Sequence, residues 1–408
     1  MGVHFRRRAR QLLTSSGRRI VVGQGLRWLE RRVTPDLIDY FSRPEDLVDA
    51  TELSLRHPAT PPPSDRPLRM GFVTSPMGRG SGGHTTLMRM VEGLEKAGHE
   101  CTLILYDPFD TDLEERTRII REGWPQVSAR VVKLSGPIVG YDAVVATAWQ
   151  TAHALARWGA DAPMKRFYFI QDYEPYFYPM GAAYSLAEQT YSFGFHLLAL
   201  GEMVQATLRN VAGQNSHLIP FGCDLTTYVD EEKGPRNGVV YYSMPTVPRR
   251  GFLIAREALR IFHDLQPDQE IHVYGNGQPG DFSVPVTWHG RVTPSELNAL
   301  YNQTVAGLAL SFTNISLVPE EMLAGGCVPV CNDHPYSRLV LTDPSVVWSA
   351  PSSGALARAL SGVVQRQQDP LTRHKVHRPD TLRSWQISTD VFVATLERIV
   401  YQGSPEAR

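Results

Sequence analysis

The stretch Ser311-Phe312-Thr313-Asn314-Ile315-Ser316-Leu317-Val318-Pro319-Glu320-Glu321-Met322-Leu323-Ala324-Gly325-Gly326-Cys327-Val328-Pro329-Val330 decides the fold. An apolar run at 306–310 reads as a strand and enters it. A small polar loop follows, then a short helix from about Pro319, then a Gly325-Gly326 turn into a second apolar run. Strand, loop, helix and strand in that order make a βαβ unit. Its loop and helix start lie at the C-terminal edge of a parallel sheet, where unpaired N–H groups and the helix dipole both favour anions. Pro319 suits the first helical turn, where its missing N–H costs nothing. Glu321 lies just inside the helix, able to face whatever occupies the crevice.

The same alternation continues outward in both directions. Downstream of 238, strands are expected at 239–243, 270–274, 286–290 and 346–348, with helices at 252–262, 295–303, 355–365 and 388–401. Upstream, strands are expected at 69–74, 101–106, 142–146, 166–170, 196–200 and 217–220. Helices are expected over the apolar face Leu87, Met90, Val91 and Leu94, over 184–193 and over 202–210. Alternation in both halves argues an α/β protein with two doubly wound, Rossmann-like domains facing a cleft. The expected boundaries are a basic extension and Pro-rich linker at 1–65, a first domain at 66–232 and a second at 233–387. A terminal helix at 388–408 crosses back to the first domain.

With 408 residues, 42% of them hydrophobic and 20% charged, the chain has room for two cores. Its formal net charge of -1 points to no nucleic acid. Arginines crowd the start, however: Arg6, Arg7, Arg8, Arg10, Arg18, Arg19, Arg27, Arg31 and Arg32 face Glu30 alone. Val22, Leu26, Leu29 and Val33 share a helical face. Residues 1–33 therefore read either as a peripheral helix on an anionic membrane surface or as a helix packed on the next domain. The four cysteines show no zinc spacing, no apolar run is long enough to span a membrane, and no signal peptide is recognisable. A reducing cytoplasm, with the inner face of the plasma membrane nearby, is the expected location.

Three loops at strand ends carry chemistry. The loop 75–84 is Gly-rich, with Gly82, Gly83 and His84 where a helix begins. It reads as a close backbone approach to a ligand or as a tight turn only. The run Gln171-Asp172-Tyr173-Glu174-Pro175-Tyr176-Phe177-Tyr178-Pro179 joins carboxylates to aromatic rings past a strand end. That is sugar-site chemistry, rings on C–H faces and carboxylates on hydroxyls, or else aromatics packed on a neighbouring helix. The loop 245–251 carries Arg249 and Arg250. Paired cations, loop amides and Glu321 together suit a nucleoside diphosphate: cations on phosphates, carboxylate on a ribose hydroxyl. No Walker lysine, Ser-His-Asp signature or metal-binding helix is present.

Several segments carry a family resemblance. Ile219-Pro220-Phe221-Gly222-Cys223-Asp224 resembles the I-P-N-G-V-D signature at the domain junction of GT-B glycosyltransferases. Residues 286–291, with Glu296-Leu297 and Leu300-Tyr301, resemble their V-x-F-x-G-x…E-L…L-Y segment, and 317–326 resembles G-L-x-P-L-E-A-M-A-C-G. Together they resemble the retaining family-4 group. The 171–181 run resembles its rhamnosyltransferase branch, which builds bacterial surface glycans from dTDP-rhamnose. The resemblance spans about 68–401. It implies a hexosyltransferase that moves a sugar from a nucleotide sugar to a glycan or lipid-linked glycan acceptor, with retention and without a metal or other cofactor. It implies catalytic roles for Arg249, Arg250 and Glu321. Donor contacts fall to Gly82, Gly83, Tyr274, Gly275, His289, Gly290, Thr313, Asn314, Ile315, Ser316, Leu317 and Val318. Acceptor contacts fall to His84, Asp172, Tyr173 and Glu174.

The chain departs from that pattern in three places. Thr313 stands where the family carries the first glutamate of its E-x7-E pair, eight residues before Glu321. Arg250 replaces the family's lysine, with Arg249 beside it in place of the missing arginine. The family's T-V-H-D position reads Ile170-Gln171-Asp172, without the histidine. A degenerate relative acting as a membrane-associated binding subunit is the alternative that these losses keep open.

Overall fold

The computed structural model describes residues 42–78, 80–232, 234–315, 317–368 and 382–402. The basic segment 1–33 and Ser316 lie outside the described residues. Seven strands form the first sheet: β1 (Arg69–Thr74), β2 (Glu100–Leu105), β3 (Arg130–Lys133), β4 (Ala143–Ala146), β5 (Lys165–Ile170), β6 (His196–Leu200) and β7 (His217–Ile219). Their spatial order is β3-β2-β1-β4-β5-β6-β7. The second sheet holds β8 (Val239–Ser243), β9 (Ile271–Gly275), β10 (Thr287–Gly290), β11 (Ala306–Ala309), β12 (Val328–Asn332) and β13 (Val347–Ser349), in the order β10-β9-β8-β11-β12-β13. Every pairing is parallel. The cause is visible in β4 and β11, which are buried along their whole length. Strands covered on both faces cannot alternate polar and apolar residues, and only crossover helices cover both faces. In each sheet the order reverses between the first and fourth strands. Crevices open at such points, outside the carboxyl ends of the strands.

The helices that matter here are α1 (Gly82–Lys96), α2 (Leu113–Gly123), α3 (Trp149–Gly159), α4 (Ala182–Gln189), α5 (Glu202–Asn210), α6 (Phe252–Leu265), α7 (Pro294–Gln303), α8 (Val318–Ala324), α9 (Ser337–Val340), α10 (Ser353–Gln368) and α11 (Trp385–Gln402). Ser81 caps α1 by accepting from His84 N. Met322 of α8 lies directly over Gly307 of β11, a contact that any side chain at 307 would block. The last helix, α11, packs Phe392, Leu396, Ile399 and Val400 into the core of the first sheet. Cys223 N donates to Arg383 O (2.8 Å), so the outgoing and returning chains run side by side between the two sheets.

Three local features differ from the sequence reading. A helix absent from the expected set, α3, starts at Trp149 just past β4. The helix expected at 184–193 is α4 followed by a 3-10 turn. Residues 42–56, assigned to the extension, are docked on the first domain. Trp158 Nε1 and the Tyr106 hydroxyl both donate to the Asp46 carboxylate (each 2.8 Å), and Val48 N donates to His153 Nδ1 (3.0 Å).

Candidate functional site

Both loops at the second sheet's switch point carry the expected residues. After β8 the chain makes a 3-10 turn (Pro248–Arg250) and enters α6 through Gly251 at φ 65°. A Cβ at Gly251 would also stand 2.9 Å from the Phe312 ring, so both conformation and space call for glycine. The turn delivers Arg249 and Arg250 to the loop after β11. Arg250 Nη1 donates to Ser311 Oγ (3.0 Å), and Ser311 Oγ donates to Asn314 O (2.6 Å). Asn332, at the end of β12, pairs with Ser311 through both backbone groups (2.8 Å each). The loop is thus clamped from β8 and from β12.

Across the crevice stands the end of β5. Asp172 accepts from Thr313 Oγ1 (2.6 Å) and from Asn314 N (2.9 Å). Asn314 Nδ2 donates to Gln171 O (2.8 Å), and Gln171 Nε2 donates to Gly83 O (3.0 Å). One chain of hydrogen bonds therefore links the Gly-rich loop, the β5 loop and the β11 loop. Arg249 lies at the same junction. Its guanidinium centre is 4.2 Å from the Phe177 ring centroid, and its Nε is 4.0 Å from Asp172 Oδ2. That Nε is buried with no hydrogen-bond acceptor. Burial pushes the Asp172 carboxyl upward in pKa, against Thr313, Asn314 and the two arginines, which pull it down. Arg250 is pulled down by its own burial, opposed by Asp172.

Glu321 anchors the other side. Burial pushes it up to about 7, against the charge of Arg89 on α1 and a hydrogen bond with the Tyr228 hydroxyl. Arg89 also stacks over Trp385 (4.7 Å) and lies 3.9 Å from Asp224. Sequence reasoning missed Arg89 and Tyr228. Arg89 had a signal, a cation between the buried Met88 and Met90 of α1; Tyr228 had none. The adjacent Glu320 is buried, is pushed up to about 8, and leaves Oε2 without a partner.

Several expected contacts sit elsewhere. Tyr173 and Glu174 are corrections: both point inward, 2% and 6% exposed. The Tyr173 hydroxyl donates to Glu188 (2.8 Å). Glu174 Oε2 accepts from Trp149 N (2.6 Å) and from the Tyr168 hydroxyl (2.9 Å). It thereby caps α3, whose own N-cap Ala148 has no side chain to do so. Burial holds its carboxyl up at about 8. The 3-10 turn Glu174–Phe177 instead exposes Tyr176 and Phe177 at the cleft mouth. His289 is a second correction: it turns to His272 Nδ1 of β9 (3.1 Å) from the edge strand β10. Gly290 ends that strand. Tyr274 is buried beneath Tyr242 with its hydroxyl 2.9 Å from that of Tyr301, and Gly275 follows at φ 109°. Ile315 is core. Leu317 crosses to pack on the first domain's core, and Val318 faces Tyr242 and Arg250. His84 is held by Ser81 Oγ (2.9 Å), and burial lowers its pKa, which favours the neutral ring. Gly82 has open space around it.

The family model "WsaF, C-terminal domain" matches residues 237–361, and "WsaF, N-terminal domain" matches 125–201, together just under half of the chain. The chain is similar to the O-antigen biosynthesis protein RfbC of Myxococcus xanthus, 29% identical over 295 residues, which is 68% of this chain. It spans only 23% of that relative's length. Sucrose-phosphate synthase (tll1590) from Thermosynechococcus elongatus superposes with a TM-score of 0.63 at 14% identity, covering 83% of this chain and all of that one. The fold is that of the GT-B glycosyltransferases. The Anabaena protein Alr3699/HepE, in complex with UDP-glucose, superposes with a TM-score of 0.56 at 14% identity, covering 82% of this chain and 98% of that one. At these identities the structural likenesses speak for the fold alone.

Proposed function

We propose that this protein is a glycosyltransferase that takes a sugar from a nucleoside diphosphate donor and passes it to a glycan or lipid-linked glycan in surface-polysaccharide synthesis. The observation that carries this reading is the convergence of Arg249, Arg250 and the clamped 311–315 loop at the second sheet's switch point, with Glu321 close by. The similarity to an O-antigen biosynthesis protein and the WsaF matches support it. In the reaction the anomeric carbon–oxygen bond to the diphosphate breaks, a bond to the acceptor oxygen forms, and the acceptor's proton leaves with the diphosphate. Arg249 and Arg250 neutralise charge as it develops on the leaving group. Glu321, when ionised, accepts from ribose hydroxyls.

Rhamnose from dTDP-rhamnose is the best-supported donor, because the 171–181 run resembles the rhamnosyltransferase branch. The same resemblance supports retention by a front-face route, in which no protein nucleophile is needed. With two guanidiniums to balance the diphosphate, turnover is metal-independent, and a chelator leaves it unchanged. Incubating the full chain with dTDP-, UDP- and GDP-sugars tests the reading: one donor is consumed in an acceptor-dependent way. Failure of every donor to bind or turn over would overturn it. Among the described residues no helix is long and apolar enough to cross a membrane. Attachment to an anionic inner membrane face through 1–33 remains part of the proposal. Deleting 1–33 abolishes sedimentation with anionic liposomes if it holds, and changes nothing if it does not.

A further inference from the structure

One carboxylate of the first domain is held by the second. Asp172 is 9% exposed, belongs to the first domain, and has both oxygens occupied by the second: Oδ2 by Thr313 Oγ1 and Oδ1 by Asn314 N. Arg249 Nε stands 4.0 Å from Oδ2. Arg250 acts on the same carboxylate electrostatically. A hydroxyl, a backbone N–H and two guanidiniums form a donor set suited to an oxyanion, and here a protein carboxylate supplies that anion. Between Tyr242, Arg250 and Val318 the cavity measures about 10 Å³, room for a single water. Small-molecule sites take roughly 300 Å³ or more. The larger cavity, about 760 Å³, lies between α1, residues 223–226 and the start of α11, and Arg89 and Asp224 line it. A ligand anion that engages Arg249 and Arg250 meets the Asp172 carboxylate already in place, and parting the domains breaks the Asp172 contacts.

We propose that Asp172 is an internal stand-in for the donor's anionic group: it latches the cleft shut in the free protein and is displaced when a nucleoside diphosphate engages Arg249 and Arg250. The displacement half rests on the donor reading above; the latch half does not. Other contacts cross the same gap, among them Asn210 Nδ2 to the Tyr336 hydroxyl (2.9 Å) and the packing of Leu317. None of those places a charge on the arginines. The latch thus competes with the ligand as well as closing the door. Its removal raises donor affinity in inverse proportion to the fraction of open protein, on the order of tenfold where the open form is a tenth of the total.

The test uses the full chain and two variants that cut the latch from opposite sides, Asp172→Ala and Thr313→Val. Small-angle scattering without ligand reports the latch: both variants show a larger radius of gyration than the parent. Calorimetry with dTDP, UDP and GDP reports displacement: whichever nucleotide the parent binds, Asp172→Ala binds on the order of tenfold more tightly. Asp172→Asn, which keeps the side-chain shape without the charge, shifts affinity in the same direction. Unchanged scattering in both variants overturns the latch. Weaker nucleotide binding by Asp172→Ala overturns the competition and makes Asp172 a ligand contact instead. Opening of the variants with no nucleotide bound by any protein would uphold the latch and sink the donor reading.

Discussion

Replacing Glu174 separates a structural carboxyl from a catalytic one. Its Oε2 accepts two buried donors, Trp149 N and the Tyr168 hydroxyl. Glu174→Ala leaves both unsatisfied, at about 1–3 kcal/mol each, or roughly 2–6 kcal/mol together. At roughly 2–4 °C per kcal/mol for domains of this size, the melting temperature of the first domain falls by roughly 5–20 °C. Glu174→Gln behaves differently. Burial holds the carboxyl up at about 8, so at neutral pH it is mostly protonated and an amide replaces it at a cost below about 1 kcal/mol. The sign of the pH effect follows. Between the ordinary glutamate value of 4.5 and about 8, the folded state keeps a proton that the unfolded state has lost. Stability is therefore greatest below that window and declines as pH rises through it, by up to about 1.4 kcal/mol per unit for this one group. Glutamine at 174 removes that share of the slope. Thermal melts of parent and both variants from pH 5 to pH 8.5 measure all of this. If Glu174→Gln keeps its melting temperature and slope yet loses turnover, the carboxyl acts on a ligand and the capping role is wrong.

Three further outcomes follow from the site. Arg250→Ala removes a cation at the leaving group and lowers kcat by roughly 10²–10³-fold, while Arg250→Lys restores part of it; steady-state kinetics on the accepted donor check this. Glu321, pushed up to about 7, accepts more strongly from a ribose once ionised, so nucleotide affinity rises between pH 6 and pH 8 in the parent and stays flat in Glu321→Gln, read by calorimetry. Gly251→Ala sets a side chain at φ 65° and 2.9 Å from Phe312, and costs at least roughly 1–2 kcal/mol in denaturant unfolding, with weaker nucleotide binding as the Arg249–Arg250 turn shifts.

Much of this was legible in the sequence, for identifiable reasons. Apolar runs ending in small polar loops mark parallel strands, and they led to both sheets and to the 311–317 loop. Arg249 and Arg250 were readable because a paired cation at a strand end has few structural uses. The 171–179 run was read correctly as a strand-end loop and incorrectly in its side chains. Composition cannot say which way a 3-10 turn aims its residues, and this one sends Tyr173 and Glu174 inward and leaves Tyr176 and Phe177 at the cleft mouth. The start of α3 was missed for a related reason. Local capping rules look for a polar residue at 148, but the cap comes from Glu174 on another loop. His289 failed through register: a bulge between Trp288 and Gly290 on the edge strand β10 turns it toward His272 of β9. The pairing of Asp172 with Thr313 joins residues of two domains, and no spacing along the chain encodes it.

The most direct measurement is nucleoside diphosphate release from dTDP-, UDP- and GDP-sugars by the full chain, beside the double variant Arg249→Ala/Arg250→Ala. At least one donor is consumed by the parent, and the double variant loses more than roughly 100-fold of that rate while melting within a few degrees of it. Release from no donor, or equal release by parent and double variant, would contradict a diphosphate site at these two arginines.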